Sequence, residues 1–259
     1  MLDILEKAAI EAGREILRVY RTGPDVSFKS DHSPVTQADE RAEAIITDAL
    51  KVAFPDIPIV AEEAVAAGDV PDISGEIFFL VDPLDGTKEF ISLRDDFTVN
   101  IALIDRGLPI AGIVYAPALK VAYTAVDGHA AKFELTDDFT VVNRRKIGCR
   151  AANGRMVAVA SRSHNTPETD RFLSERGITE CAPIGSSLKF CLVAEGLADV
   201  YPRFSRTMEW DTAAGDAVLR AAGGRVTTAN GEPFLYGKQG QVGDSDFANP
   251  PFIGWGSGL

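Results

Sequence analysis

Three cysteines and three histidines leave this chain poor in the side chains that carry thiolate, imidazole and zinc chemistry. Cys149, Cys181 and Cys191 are odd in number and form no CxxC pair. That excludes a disulfide framework and a thiolate zinc site, and reads as reduced, buried thiols of a cytosolic protein. No cysteine stands beside a histidine, so no activated covalent nucleophile is written. Positive charge is scarce as well: 26 Lys and Arg against 38 Asp and Glu give a net charge of −12. Such a field repels phosphate backbones and anionic lipid, which excludes a general nucleic-acid binder. A small phosphate substrate stays open, provided that metal ions reverse the sign locally. No apolar run approaches the roughly 18 residues needed to span a bilayer. Charges at Asp3, Glu6, Lys7 and Glu11 interrupt any signal-peptide core, so the expected location is the cytoplasm. Low-complexity tracts and internal repeats are absent too.

What is present suits a soluble enzyme. A chain of 259 residues buries roughly three quarters of its unfolded surface, enough for one large or two modest units without disulfide help. Leu5, Ala9, Ala12, Ile16 and Val19 recur at helical spacing until "RTGPD" stops them near Gly23. A second helix is predicted over Thr36 to Ala53, opened by a Thr36/Asp39 pair resembling a capping box. Short apolar strands follow at 57–61 and 76–81, then period-two runs from Asp96 that predict an antiparallel meander. Beyond Arg150 strands and helices alternate, with helices expected near 167–176, 187–196 and 211–222. The spacing predicts an α+β lobe over 1–146 and an α/β lobe over 147–259, with the boundary in "DDFTVVNRRK" (137–146).

The stretch "LVDPLDGTKEF" (80–90) breaks the apolar pattern. Two aspartates, a proline and a glycine close a strand although all are poor strand residues and like charges repel. A β-turn accounts for the proline and glycine, and by itself for one aspartate. Glu62, Asp82, Asp85 and Asp211 all fall at predicted element ends, where layered α/β folds assemble sites. Carboxylates are the hard oxygen ligands that Mg²⁺ takes, and one carboxylate shared by two ions would offset the repulsion. Gly86 would let the backbone approach a phosphate, Thr87 would face it, and the Leu84 carbonyl would be free to point at a metal. Each feature has a plainer explanation: Glu62 as a solvated strand end, Asp211 as a helix N-cap.

Together "SPVTQADE" (33–40), "VAEEA" (60–64), "VDPLDGTKEF" (81–90) and "EWDTAAGDAVLRAAGG" (209–224) resemble the magnesium-dependent, lithium-sensitive phosphatase superfamily that includes inositol monophosphatase. The resemblance implies a layered αβαβα sandwich. It implies one Mg²⁺ at Glu62, Asp82 and the Leu84 carbonyl, a second at Asp82, Asp85 and Asp211, and a weaker third near Glu62. Thr87, with Asp39 or Glu62, would orient the attacking water. Substrate contacts would come from Glu62, Leu84, Asp85, Gly86, Thr87 and Asp211. "GSSLKFCLVAEGLADVYPRF" (185–204) is similar to the CysQ-type branch, whose substrate is the nucleotide bisphosphate 3′-phosphoadenosine 5′-phosphate (PAP) and some of whose members associate with the inner membrane. Lys189 and Arg203 are the matching candidates for the cations its extra charge needs, and His164 in "SRSH" would approach the nucleotide. A lysine stem covering apolar surface with its head in water is the plain alternative for Lys189, and a loop residue without function that for His164. Phe79 and Ser205 depart from the pattern, where relatives often carry Trp and Gly. An inositol or sugar phosphatase with the same metals is the rival substrate reading, and a non-catalytic metal or nucleotide binder the rival class.

Overall fold

The computed structural model describes residues 1–23, 25–28, 34–152, 154–160 and 166–258. Helices α1 (Leu2–Thr22) and α2 (Gln37–Ala53) flank a hairpin of β1 (Val26–Phe28) and β2 (Pro34–Thr36). Strand β3 (Ile59–Ala61) runs into the short helix α3 (Glu62–Ala66), and β4 (Ile77–Asp85) into the short helix α4 (Thr87–Ile91). The meander follows as β5 (Thr98–Asp105), β6 (Leu108–Ala116), β7 (Val121–Val126), β8 (His129–Leu135) and β9 (Val141–Lys146). Then come β10 (Val157–Ala160), α5 (Pro167–Glu175), β11 (Glu180–Pro183), α6 (Leu188–Ala194), β12 (Val200–Arg203) and β13 (Thr207–Met208). The chain ends with α7 (Ala213–Ala221), β14 (Arg225–Thr228), β15 (Ala248–Asn249) and β16 (Phe252–Trp255).

Strands β3 to β9 form one sheet in sequence order, antiparallel except for the β3–β4 pair. Side-chain alternation makes this sheet two-faced. Along β5, Val99, Ile101 and Leu103 join Leu5 and Ile16 of α1 and Ile46 of α2. Ala102 and Ile104 point the other way and join Phe190 of α6 and Val218 of α7. That second core continues onto the other sheet, ordered β11-β10-β12-β16-β14, through Val159, Tyr201 and Phe252. On the far face of the second sheet Ala158, Val200 and Ile253 meet Phe172 of α5. The layers therefore run α1/α2, sheet, α6/α7, sheet, α5, the five-layer αβαβα sandwich expected from the family resemblance. Among the described residues no helix is long and apolar enough to cross a membrane.

Residues 137–146 include a strand, Val141–Lys146, paired with β8. Several expectations need correction. The strand expected at 76–81 extends through the acidic stretch to Asp85. The last helix begins at Ala213, two residues later than expected. Only Cys191 is buried; Cys149 is half-buried and Cys181 is exposed, because β11 is an edge strand with all four residues in solvent. The strands β1, β2 and β13 to β16 were not foreseen, being too short to show a period.

Close packing of α6 against α7 sets the distance between the segments that enter the site. A Cβ on Gly215 of α7 would lie 2.4 Å from Cδ2 of Phe190. Phe190 is itself held by Phe252 and Tyr201, with ring centroids 5.6 and 5.0 Å away. Gly215→Ala is thus expected to lose about 1–3 kcal/mol of stability from overpacking, read as a lower urea midpoint at unchanged m. Parental stability would show that α6 can yield.

Candidate active site

The acidic stretch solves its geometry with a bulge. Asp82 pairs with Asn100 and Asp85 with Thr98, so three steps along β4 match two along β5. Without the extra residue Asp82 and Asp85 would point to opposite faces of the sheet; with it both share the face of Asn100 and Thr98. Pro83 sits inside the irregularity, where its missing N–H breaks no ladder bond. The Leu84 N–H instead donates to Asp82 Oδ1 at 3.0 Å. Gly86 then turns the chain in the left-handed region, φ 95°, with Asp96 O and Phe97 3.4 Å from where a Cβ would stand. Thr87 opens α4 immediately afterwards.

Two other segments converge on this bulge. Glu62 is the first residue of α3, at the end of β3, which runs beside β4. Asp211 lies in the turn before α7, where its Oδ2 accepts from Met208 N at 2.8 Å. It is not the helix N-cap: Thr212 holds that position without a side-chain cap bond. Carboxylate oxygens of Glu62, Asp82 and Asp211 all lie within 4.8 Å of one another. Asp39 keeps its capping role and adds another: Oδ2 accepts from Thr36 N and Thr36 Oγ1 at 2.8 and 2.7 Å, while Oδ1 lies 3.2 Å from Thr87 Oγ1. Thr87 Oγ1 is equally 3.2 Å from the Leu84 carbonyl.

Crowding these acids is unfavourable. Burial, and then the charges of Glu62, Asp85 and Asp211, push Asp82 well above the usual carboxylate range. Burial, then Asp85 and Glu62, do the same to Asp211. Asp85 is raised by burial, against the pull of the Lys189 ammonium. Two like charges roughly 5 Å apart repel by about 3 kcal/mol at an effective dielectric near 20. An all-oxygen, carboxylate-rich donor set whose own repulsion Lys189 and Arg203 offset only in part fits a hard divalent cation such as Mg²⁺, and offers no nitrogen or sulfur for zinc or copper.

Cationic side chains share the pocket. Lys189 and Arg203 line the same pocket as Glu62, Asp85 and Asp211. The Lys189 head is not in water: the residue is 4% exposed and its Nζ donates to Ser186 O at 2.6 Å. Burial lowers its pKa to about 8, with Asp85 opposing and Arg203 adding to the fall. Arg203 Nε donates to Ser205 O at 3.3 Å, so the departure at 205 contributes its backbone to the site. Phe79 is fully buried against Phe54, a packing position. His164 lies outside the described residues.

Sequence reasoning missed two participants. Ser187 Oγ accepts from Asn100 Nδ2 at 3.0 Å and lies 3.1 Å from Asp85 Oδ2 and 2.5 Å from the Asp211 carbonyl. It ties both acidic segments to α6. A serine before the apolar run "LKF" signals a helix start, and nothing local names its distant partners. Arg206 also lines the pocket, with Nε 3.1 Å from Asp244 Oδ1.

The inositol monophosphatase family model matches residues 1–251. The chain is 46% identical to the 3′(2′),5′-bisphosphate nucleotidase CysQ of Escherichia coli K12, over 97% of this chain and 98% of that one. Its structure is similar to the crystal structure of CysQ from Bacteroides thetaiotaomicron, with a TM-score of 0.80, 38% identity and coverage of 99% and 97% of the two chains. It is also similar to an IMPase of Thermotoga maritima, with a TM-score of 0.76, 25% identity and coverage of 98% and 91%. The chain belongs to the inositol monophosphatase family.

Proposed function

We propose that the protein is a Mg²⁺-dependent phosphatase that removes the 3′-phosphate of PAP, giving AMP and phosphate. One observation carries the reading: a single pocket is lined both by the carboxylates Glu62, Asp85 and Asp211 and by the basic side chains Lys189, Arg203 and Arg206. Carboxylates filled with cations suit the phosphate that reacts, and the basic side chains suit the phosphate that stays. The names of the CysQ relatives support the same substrate class.

Glu62, Asp82 and the Leu84 carbonyl would hold one ion, and Asp82, Asp85 and Asp211 a second, with room near Glu62 for a weaker third. When bound, the ions supply Lewis acidity and offset the charge gathered on the phosphoryl oxygens. Thr87 has one proton and two acceptors in reach, Asp39 Oδ1 and the Leu84 carbonyl. Its lone pairs are therefore left to accept from a water and aim it at phosphorus, and Asp39 is placed to draw the proton through Thr87 Oγ1. Burial raises Asp39 to about 6, with the Glu62 charge adding and the Thr36 bonds opposing, so near neutral pH it stands ready as a base. Gly86 lines the pocket just before α4, where its backbone would meet a phosphate oxygen. The water oxygen forms the new bond to phosphorus as the P–O3′ bond breaks in line, and the ribose oxygen takes up a proton from solvent. The described pocket-lining residues include no cysteine or histidine, so neither a thiolate nor a histidine-activated Ser186 or Ser187 is at hand for a covalent step.

The test is phosphate release with Mg²⁺ from PAP and from inositol 1-phosphate, side by side. Preference for PAP is the expected result. Preference for the inositol phosphate would overturn the substrate while keeping the site, and no release from either would favour a non-catalytic binder. Lys189→Met is expected to raise KM for PAP by about ten- to a hundredfold, since each 1.4 kcal/mol is a factor of ten and a charge-assisted contact is worth about 1.5–3 kcal/mol. The inositol phosphate, with one phosphate, should be much less affected. Equal losses on both substrates would place Lys189 at the reacting phosphate.

A further inference from the structure

Helix α3 starts without a cap of its own. Its N-cap is Ala61, which has no side-chain acceptor to offer. The first amides of a helix need partners, and a buried helix start without them is unfavourable. Here the partners arrive from 20 residues away. Glu43 on α2 is 8% exposed, and its carboxylate accepts from Glu63 N at 2.7 Å and from Ala64 N at 2.8 Å, one oxygen to each. The residue just before these two amides is Glu62. Because β3 is an edge strand of only three residues, the ladder holds the chain from one side alone and ends at Ala61, just before Glu62.

Glu43 lies four residues after Asp39, one turn further along the same face of α2. Asp39 reaches Thr87, and Glu43 reaches the start of α3. We propose that Glu43 is a positioning residue for the metal site: its carboxylate fixes the first turn of α3 and so aims Glu62, while Asp39 one turn earlier aims Thr87. Helix α2 thereby sets the spacing between the group that holds the cation and the group that holds the water. The inference rests on the assignment of Glu62 as a cation ligand and does not depend on the substrate.

The test is titration of the full chain with Mn²⁺, an ion that shares the oxygen preference of Mg²⁺, followed by electron paramagnetic resonance without substrate. Losing a partner that orients a metal ligand typically weakens affinity by about 10–100-fold. Glu43→Gln, which keeps one acceptor oxygen, is expected to weaken Mn²⁺ binding by about tenfold with a melting transition close to the parent's. Its kcat should recover toward the parental value at saturating Mg²⁺, which a general loss of structure would not allow. A double-mutant cycle locates the effect. In a Glu62→Ala background, Glu43→Gln should cause no further loss of Mn²⁺ affinity. Parental affinity in Glu43→Gln, or an equal loss with and without Glu62, overturns the proposal. Should Glu43→Gln fail to fold, Glu43→Asp, which keeps the charge and withdraws it by one methylene, is read by the same criteria. Absence of Mn²⁺ binding to the parent would overturn the cation assignment itself, whatever the phosphatase assays show.

Discussion

Asp82→Asn is expected to reduce phosphate release by on the order of a thousandfold or more, beyond the roughly 10–100-fold that follows from losing only a supporting partner of a metal ligand. Asp82 is 1% exposed, and a carboxylate oxygen of it lies within 4.8 Å of one from Glu62 and one from Asp211. The same substitution should spare the fold. An asparagine keeps the Oδ1 that accepts from Leu84 N, so the bulge retains its internal bond. It also deletes one of the mutually repelling buried charges, so the metal-free variant should melt at or above the temperature of the metal-free parent. Calorimetry with EDTA and a phosphate-release assay with Mg²⁺ together check both halves. An inactive but unfolded variant would make Asp82 a structural residue. A fully active one would remove it from the cation site.

Much of this was legible because the site lies at element ends and is written with residues that those ends do not otherwise need. Pro83 and Gly86 mark a turn, but only a pairing register shows that the irregularity brings Asp82 and Asp85 to one face. Asp211 read equally well as a helix cap; the structure gives the cap position to Thr212 and turns the Asp211 carboxylate to Met208 N. Thr36 and Asp39 announced a capping box, and the box is there, yet the second Asp39 oxygen serves Thr87 across 48 residues of sequence. Ser187 and Glu43 stayed hidden for the same reason. Their partners are 102 and 20 residues away, and side chains that act by long-range hydrogen bonds leave no local period. Cys181 was misjudged because burial was inferred from residue type, while exposure here follows from β11 being a sheet edge.

The metal-free protein should lose stability as pH rises, contrary to the behaviour of most salt-bridged acids. Asp39 has a native pKa of about 6 against an ordinary value of 3.8, so between those values the folded chain holds a proton that the unfolded chain has released. Stability falls with pH wherever the native state binds more protons. Asp82 and Asp211, raised well above the same reference, carry the fall further upward with the same sign. Glu15, lowered to about 2 by Arg18, acts oppositely, but it is a surface group and solvent screens its pair. A divalent cation should reverse the trend, because it binds only when those protons leave. At a concentration near a hundred times its Kd it would add about 2.7 kcal/mol, which for a chain of this size is about 5–10 °C in melting temperature. Melting curves with Mg²⁺ and with EDTA at pH 5 and pH 8 should therefore differ strongly at pH 8 and little at pH 5. Equal differences at both values would mean that protons and the cation do not compete for the same carboxylates. The acids of the bulge would then be a structural cluster, and the cation would have to sit elsewhere.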